Sequence, residues 1–451
     1  MDRLTACLLQ VIVTYGLICL CAAPPPNGGN GGGRGGKGNG PLDIGGVGKG
    51  VGRGKWNSYR GDQRHLTDDA LGALQTTWKS CRGKGKCKEN SDRQKKNRNA
   101  VKEALKGDKG DGRKKGLGDD EVERRFQKAY KAKKALFQLN GLGDVDPHDN
   151  GLFGGDMLLN EQQLDRIISR TEGIVDTEEI GEVPLVDVDS VAYNPLTGTA
   201  DRQKRGDMLA LDYYGGNKWP TTTINFYINP RTISSSQATI VRNALQSISS
   251  STCLKFVEGW KYPVMEFVKT PSDTDAGTCG WADVGYQGNY NAVYINFDSS
   301  ICKSTLQGVV VHEALHSLGF VHEHTRYDRD RYLNIDWNNV DPQSVDVYNK
   351  DDPRDHNPYC APFDPLSIMI YDAYVGALDS RKPVMTTVSY SSYYLPRMGM
   401  GTKMAATDAS LVNRMYCKSP TCKDRSTNCG WTACIDCATY GSVCPKSCNR
   451  C

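Results

Sequence analysis

Residues 312–322 read His-Glu-Ala-Leu-His-Ser-Leu-Gly-Phe-Val-His, and this run constrains the fold more than any other stretch of the chain. His312 and His316 are four apart, so on an α-helix both rings leave one face a single turn apart. Two imidazoles so placed can hold one zinc ion. Glu313 follows the first of them, where a carboxylate can lean over the ion and take a proton from water. Gly319 lets the backbone leave the helix abruptly, and His322 can then swing back as a third ligand. Three protein ligands leave one zinc position open, as a catalytic site needs; a structural site closes all four. Ser304 and Gln307 are expected to cap the helix ahead of Val309, Val310 and Val311, with Leu315 and Leu318 as apolar anchors among the ligands.

A chain of 451 residues has room for two or three folded units. Its net charge of +4 is too small to imply nucleic acid, since the basic residues concentrate before residue 206. Seventeen cysteines point to an oxidising compartment. The N-terminus agrees: Arg3 precedes an apolar stretch from Leu8 to Leu20, and Cys21-Ala22-Ala23 supplies small residues for cleavage, so residues 1–22 read as a signal peptide. That stretch is shorter than the roughly 20 apolar residues a membrane span needs. The expectation is a secreted, extracellular protein with no membrane span.

Composition divides the rest. Residues 24–54 are dominated by Gly and cannot bury enough apolar surface to offset ordering entropy, so they read as disordered. Residues 78–134 are rich in Lys and Arg, and Cys81 and Cys87 are close enough to close a small loop. The basic run suits association with polyanions of an extracellular matrix, but a solvated charged helix is the simpler reading. Arg202-Gln203-Lys204-Arg205 is the kind of site that a secretory proprotein convertase cuts, between Arg205 and Gly206. Residues 23–205 would then be a propeptide. Beyond it, Thr223 to Ile228, Val264 to Val268 and Ala292 to Phe297 pattern as strands, and Ser235 to Ser250 as a helix with Ile240, Val241, Ala244, Leu245 and Ile248 on its apolar face. From Arg326 to Cys417 the periodicity weakens, which suggests a second, irregular lobe and a cleft between the two.

Four separated motifs make the chain resemble the astacin family of metzincin zinc endopeptidases over roughly residues 206–417. The zinc run continues through Glu323, Arg326 and Asp328-Arg329-Asp330. Ser367-Ile368-Met369-Ile370-Tyr371 looks like the Met-turn, with Ile370 where most members have His. Cys253, Cys279, Cys302 and Cys417 match the family's cysteines, and Phe153-Gly154-Gly155-Asp156 resembles the segment by which astacin propeptides cross the cleft. The resemblance implies an α+β fold of two lobes flanking a zinc cleft and an astacin-like peptidase domain over 206–419. It implies one Zn²⁺ on His312, His316 and His322, with Glu313 and Tyr371 catalytic, Met369 beneath the metal and Asp156 as the inhibitory ligand of a latent zymogen. It also implies the pairs Cys253–Cys417 and Cys279–Cys302, and a buried new N-terminus at Gly206 meeting Glu323. Gly399-Met400-Gly401 departs from the Gly-Gln-Arg of many members, so the substrate wall is not carried over.

Residues 420–451 hold a cysteine cluster too dense for an apolar core to suffice. Cys422-x-Asp424 and Cys444-x₃-Cys448-x₂-Cys451 resemble the ShK toxin-like domain. Its pairing implies Cys422–Cys451, Cys429–Cys444 and Cys434–Cys448, with Cys437 an alternative to Cys434 and the leftover cysteine a partner for Cys360. The function expected is a secreted, zinc-dependent endopeptidase acting on extracellular protein or peptide substrates. The alternative is a catalytically inert matrix or toxin-like binding protein that retains the protease fold. An inert version would be expected to have lost Glu313 or a zinc histidine, and all are present.

Overall fold

Alternation along the strands decides which face each residue meets, because successive side chains point to opposite sides of a sheet. The computed structural model describes residues 66–107, 116–175, 218–351 and 362–417. Its N-terminal part holds helices α1 (Asp68–Cys81), α2 (Gly85–Lys106) and α3 (Asp119–Leu139), the short strand β1 (Met157–Leu158) and helix α4 (Glu161–Val175). Then follow β2 (Thr223–Ile228), α5 (Ser235–Ser251), β3 (Lys255–Glu258), β4 (Val264–Lys269), β5 (Gly280–Asp283), β6 (Tyr290–Ile295) and α6 (Leu306–Ser317). The described residues beyond α6 hold β7 (Leu333–Ile335), β8 (Met385–Thr387), α7 (Ser391–Tyr394) and α8 (Ala406–Tyr416), with short 3₁₀ helices and irregular chain between them.

Six strands form one sheet in the order β1-β5-β6-β4-β2-β3. All neighbours run parallel except β5 against β6. Along β6, Val293 and Ile295 enter a cluster with Val241 and Leu245 of α5 and Val311 and Leu315 of α6. Their neighbours Ala292 and Tyr294 face the other way, where with Trp281 of β5 they pack against Val101 of α2 and Phe126 of α3. Both faces of the central strands are therefore covered, one by the helices that follow in sequence and one by the N-terminal helices. Disulfides join Cys253 to Cys417, Cys279 to Cys302 and Cys81 to Cys87.

Helix α5 begins with a capping box in which Gln237 N donates to Ser234 Oγ and Ser234 N donates to Gln237 Oε1. The expected cap of α6 by Ser304 and Gln307 is not formed. Residues 303–305 make a 3₁₀ turn immediately after Cys302, α6 starts at Leu306, and Gln307 Nε2 donates to Thr402 O instead. The Lys- and Arg-rich segment is more than a solvated helix: α2 exposes Lys86, Lys88 and Lys95 but buries Ala100, Val101, Ala104 and Leu105. The apolar segment 8–20, the Gly-rich run, the Arg205–Gly206 site, Cys360 and the ShK-like cysteines lie outside the described residues. No described helix is long and apolar enough to cross a membrane.

Candidate metal centre

Helix α6 is buried along almost its whole length, so its two histidines arrive on a rigid support. The turn after it depends on Gly319, whose φ of +100° L side chains rarely adopt. That turn brings the Phe320 carbonyl back over the helix, where His316 Nδ1 lies 2.8 Å from it. It also delivers His322, fully buried, to the same point in space as His312 and His316.

The ring orientations are set from outside the centre. His312 Nδ1 donates to Ile368 O at 2.7 Å, and His316 Nδ1 to Phe320 O. With Nδ1–H committed to a carbonyl, each neutral ring turns its Nε2 lone pair inward. The Ile368 carbonyl is itself held. Asp408 on α8 accepts from Ile368 N at 2.8 Å and from Ser367 Oγ at 2.6 Å, and Ser367 Oγ in turn accepts from Met369 N at 3.0 Å. Sequence reasoning does not single out Asp408. A buried carboxylate forty residues from its partners leaves no local signal in one chain.

Asp156 completes the cluster. Its Oδ1 is 3.2 Å from His316 Nε2 and 3.1 Å from His322 Nε2, and its Oδ2 is 3.3 Å from His312 Nε2. One ligand atom from each of these four residues lies within 4.8 Å of the other three. The backbone that carries Asp156 needs both preceding glycines. A Cβ at Gly154 would sit 2.7 Å from Met157 Cε, and one at Gly155 would sit 2.6 Å from Tyr371 Oη, with φ positive at both. Strand β1 follows at once and pairs with β5 as the edge of the sheet, Met157 opposite Ala282 and Leu158 opposite Asp283.

Charge and burial in this cluster call for a cation. Asp156 Oδ1, His312 Nε2 and Glu313 Oε2 are buried atoms that no hydrogen bond satisfies among the described residues. Burial would raise the Asp156 carboxyl, but the charges of His322 and His316 outweigh it and hold it well below the usual carboxylate range. Burial pushes His316 down to about 4, partly opposed by Asp156. At His312 burial pulls the same way, yet Asp156 prevails and leaves that ring raised. Ligation needs an ionised carboxylate and neutral imidazoles, so a cation here competes with the proton that Asp156 favours on His312. Three inward nitrogens and one carboxylate oxygen match a four-coordinate Zn²⁺ donor set, and the residues present fit one such ion.

Glu313 lies beside the cluster with only 2% of its surface exposed. Burial first, and then the Asp156 charge, pushes its carboxyl well above the usual range. Gly280 of β5 makes room for it, since a Cβ there would lie 2.9 Å from Glu313 Oε1. Tyr371 donates to Gly154 O at 2.9 Å, and its ring lies 4.3 Å from that of His322. Met369 packs in the apolar cluster that includes Ala314 and Leu315 of α6. Ile370 is buried against the irregular lobe, beside Tyr348 and Met398. Glu323 Oε1 accepts from Arg326 Nη1 at 3.1 Å and from Asp364 N at 2.9 Å. Gly206 lies outside the described residues, so its pairing with Glu323 is not seen.

Residues 212–417 match the family model of the astacin peptidases. These residues carry an astacin-family domain. The zinc metalloproteinase nas-11 of Caenorhabditis elegans is 32% identical over 354 residues, which cover 74% of this chain and 59% of that protein. The zinc metalloproteinase nas-9 of the same organism is 30% identical over 346 residues, with the same coverage of each. The chain thus spans about three fifths of the length of these curated relatives. Among solved structures, high choriolytic enzyme 1 of Oryzias latipes, a hatching enzyme zinc-protease, is 25% identical and matches 44% of this chain and 92% of its own, with a TM-score of 0.37.

Proposed function

We propose that the protein is a secreted zinc endopeptidase made as a latent zymogen, which hydrolyses peptide bonds in extracellular protein substrates. The observation that carries this reading is the convergence of three histidine Nε2 atoms on the Asp156 carboxylate, with Glu313 buried alongside and unsatisfied. Residues 1–22 are the signal peptide, 23–205 the propeptide and 206–419 the peptidase domain. Residues 420–451 are an ShK toxin-like module paired Cys422–Cys451, Cys429–Cys444 and Cys448 with either Cys434 or Cys437. A proprotein convertase cuts after Arg205.

The chemistry a bound zinc ion supplies is Lewis acidity, which acidifies water and polarises a carbonyl. The chain's own groups do the rest. In the latent form Asp156 takes the position that water needs and Tyr371 is tied to Gly154 O. Once that segment leaves, the Tyr371 hydroxyl is free to donate to the oxygen of the scissile carbonyl as negative charge develops there. Glu313 accepts the proton of the attacking water at its carboxylate and returns it to the leaving amine nitrogen. The new N-terminus at Gly206 then meets Glu323.

The test is Glu313→Gln in the activated protein. It should keep its zinc, measured by elemental analysis, and lose roughly 10²–10⁴-fold in peptide hydrolysis. Equal turnover would remove Glu313 from the mechanism. Turnover by the unaltered activated protein that a zinc chelator does not stop would remove the metal from it.

A further inference from the structure

The N-terminal helical segment shares every one of its apolar clusters with the surface it covers. Each of the three clusters that hold its side chains also holds residues beyond 218. Leu74 and Trp78 of α1 pack with Val340 and Tyr348. Leu164 and Ile167 of α4 share a cluster with Val284 and Val321. Phe126 of α3 lies with Trp281 and Tyr294. An interface of this kind resembles a domain core cut in half, as in obligate complexes.

Polar contacts pin it on both sides of the metal. Toward the sheet, Arg93 reaches Asp275 through two hydrogen bonds of 3.1 and 2.9 Å, and Asn97 Nδ2 donates to Thr278 Oγ1 at 2.7 Å. Toward the irregular lobe, Asn90 Nδ2 donates to Asp341 Oδ2 at 2.9 Å. Lys133 Nζ lies 3.5 Å from Asp346 Oδ2, with both side chains almost wholly buried. Asp346 Oδ2 also accepts from Gly154 N at 3.2 Å, so this ion pair is wired to the turn that carries Asp156. None of these contacts runs through the chain between Val175 and Lys218.

We infer that the surface formed by Trp281, Tyr294, Val340 and Asp346 is a docking site for the helical segment as a separate polypeptide, so that the segment stays bound after the chain is cut behind Arg205. This rests on the latent-protease reading and adds that the cut alone does not open the cleft. A covalent tether contributes only an effective concentration. Cutting it removes that contribution and leaves every contact above in place. Activity then waits for loss of the segment itself, by dilution or by further proteolysis.

The experiment uses the full-length zinc-loaded chain, cut at Arg205 by a convertase-type protease and checked by N-terminal sequencing. At micromolar concentration the two fragments should co-elute in size exclusion as a one-to-one complex that is silent toward a peptide substrate. Immediate separation into two peaks would overturn the inference. Lys133→Met removes the cation facing Asp346, together with the donor shared by His148 O and Asn150 Oδ1 within the segment, and should weaken the cut complex by about a hundredfold or more. The uncut Lys133→Met chain, monodisperse and cooperatively folded, controls for misfolding. An unchanged dissociation constant in that variant would also count against the docking site. Co-elution needs no catalysis: a complex that holds together, but whose separated peptidase fragment is inactive, supports the docking site and contradicts the protease reading.

Discussion

Phe267 and Phe126 are both almost completely buried, but by different means. Phe267 of β4 sits in a cluster drawn only from residues between Trp219 and Tyr416, with α5, α6 and α8 closing over one face of the sheet. Phe126 of α3 is covered by Ala100 and Leu105 from its own segment and by Trp281 and Tyr294 from the sheet. The first region supplies both sides of its core. The second borrows one side from the surface it covers. The metal centre straddles the two, with three histidines from the self-contained region and the carboxylate from the borrowed one.

The largest test of that division is at the ligands. His312→Ala should abolish stoichiometric zinc both in the full chain and after the helical segment is removed, because the histidines belong to the self-contained region. Retention of zinc by elemental analysis would place the metal elsewhere. Next come the two phenylalanines. Each Phe→Ala should cost about 3–5 kcal/mol in the full chain. Phe267→Ala should speed amide exchange throughout β2, β4 and β6, whereas Phe126→Ala should act on α2, α3 and β1. Identical exchange patterns would erase the distinction.

Smaller effects sharpen it. Ser234→Ala removes one half of the α5 capping box and should cost about 1 kcal/mol in a denaturant titration. Arg242→Ala breaks a surface pair with Glu258 on β3 and should shift stability by no more than about 1 kcal/mol. A larger loss there would mean that the β3 edge carries more of the fold than its exposed residues suggest.

The same division explains what is legible in the sequence. Strand Thr223–Ile228 and helix Ser235–Ser251 bury one face against their own neighbours, so their periodicity shows in the chain. The spacing of His312, His316 and His322 around Gly319 is a local signal, as is that of Cys81 and Cys87. Helices α2 and α3 lie in the stretch that reads only as basic chain. In α2 and α3 the apolar positions are sparse among Lys, Arg and Glu, and several of them pack against Trp281 and Tyr294. Strand β5 escapes a sequence reading for a related reason. Its four residues carry no periodicity, and what makes them a strand is pairing with β6 on one side and β1 on the other. Asp408, which holds the Ser367–Met369 turn, has no neighbour in sequence to betray it.

The central claim is that Asp156 and the three histidines hold one zinc ion in the latent chain. X-ray absorption at the zinc edge, on the full-length protein and on Asp156→Ala, tests it most directly. The unaltered chain should show three nitrogen ligands at about 2.0–2.1 Å with carboxylate oxygen in the remaining position, and Asp156→Ala should keep the nitrogens and replace the carboxylate with water. Identical spectra from the two proteins, or a full-length chain without stoichiometric zinc, would contradict it.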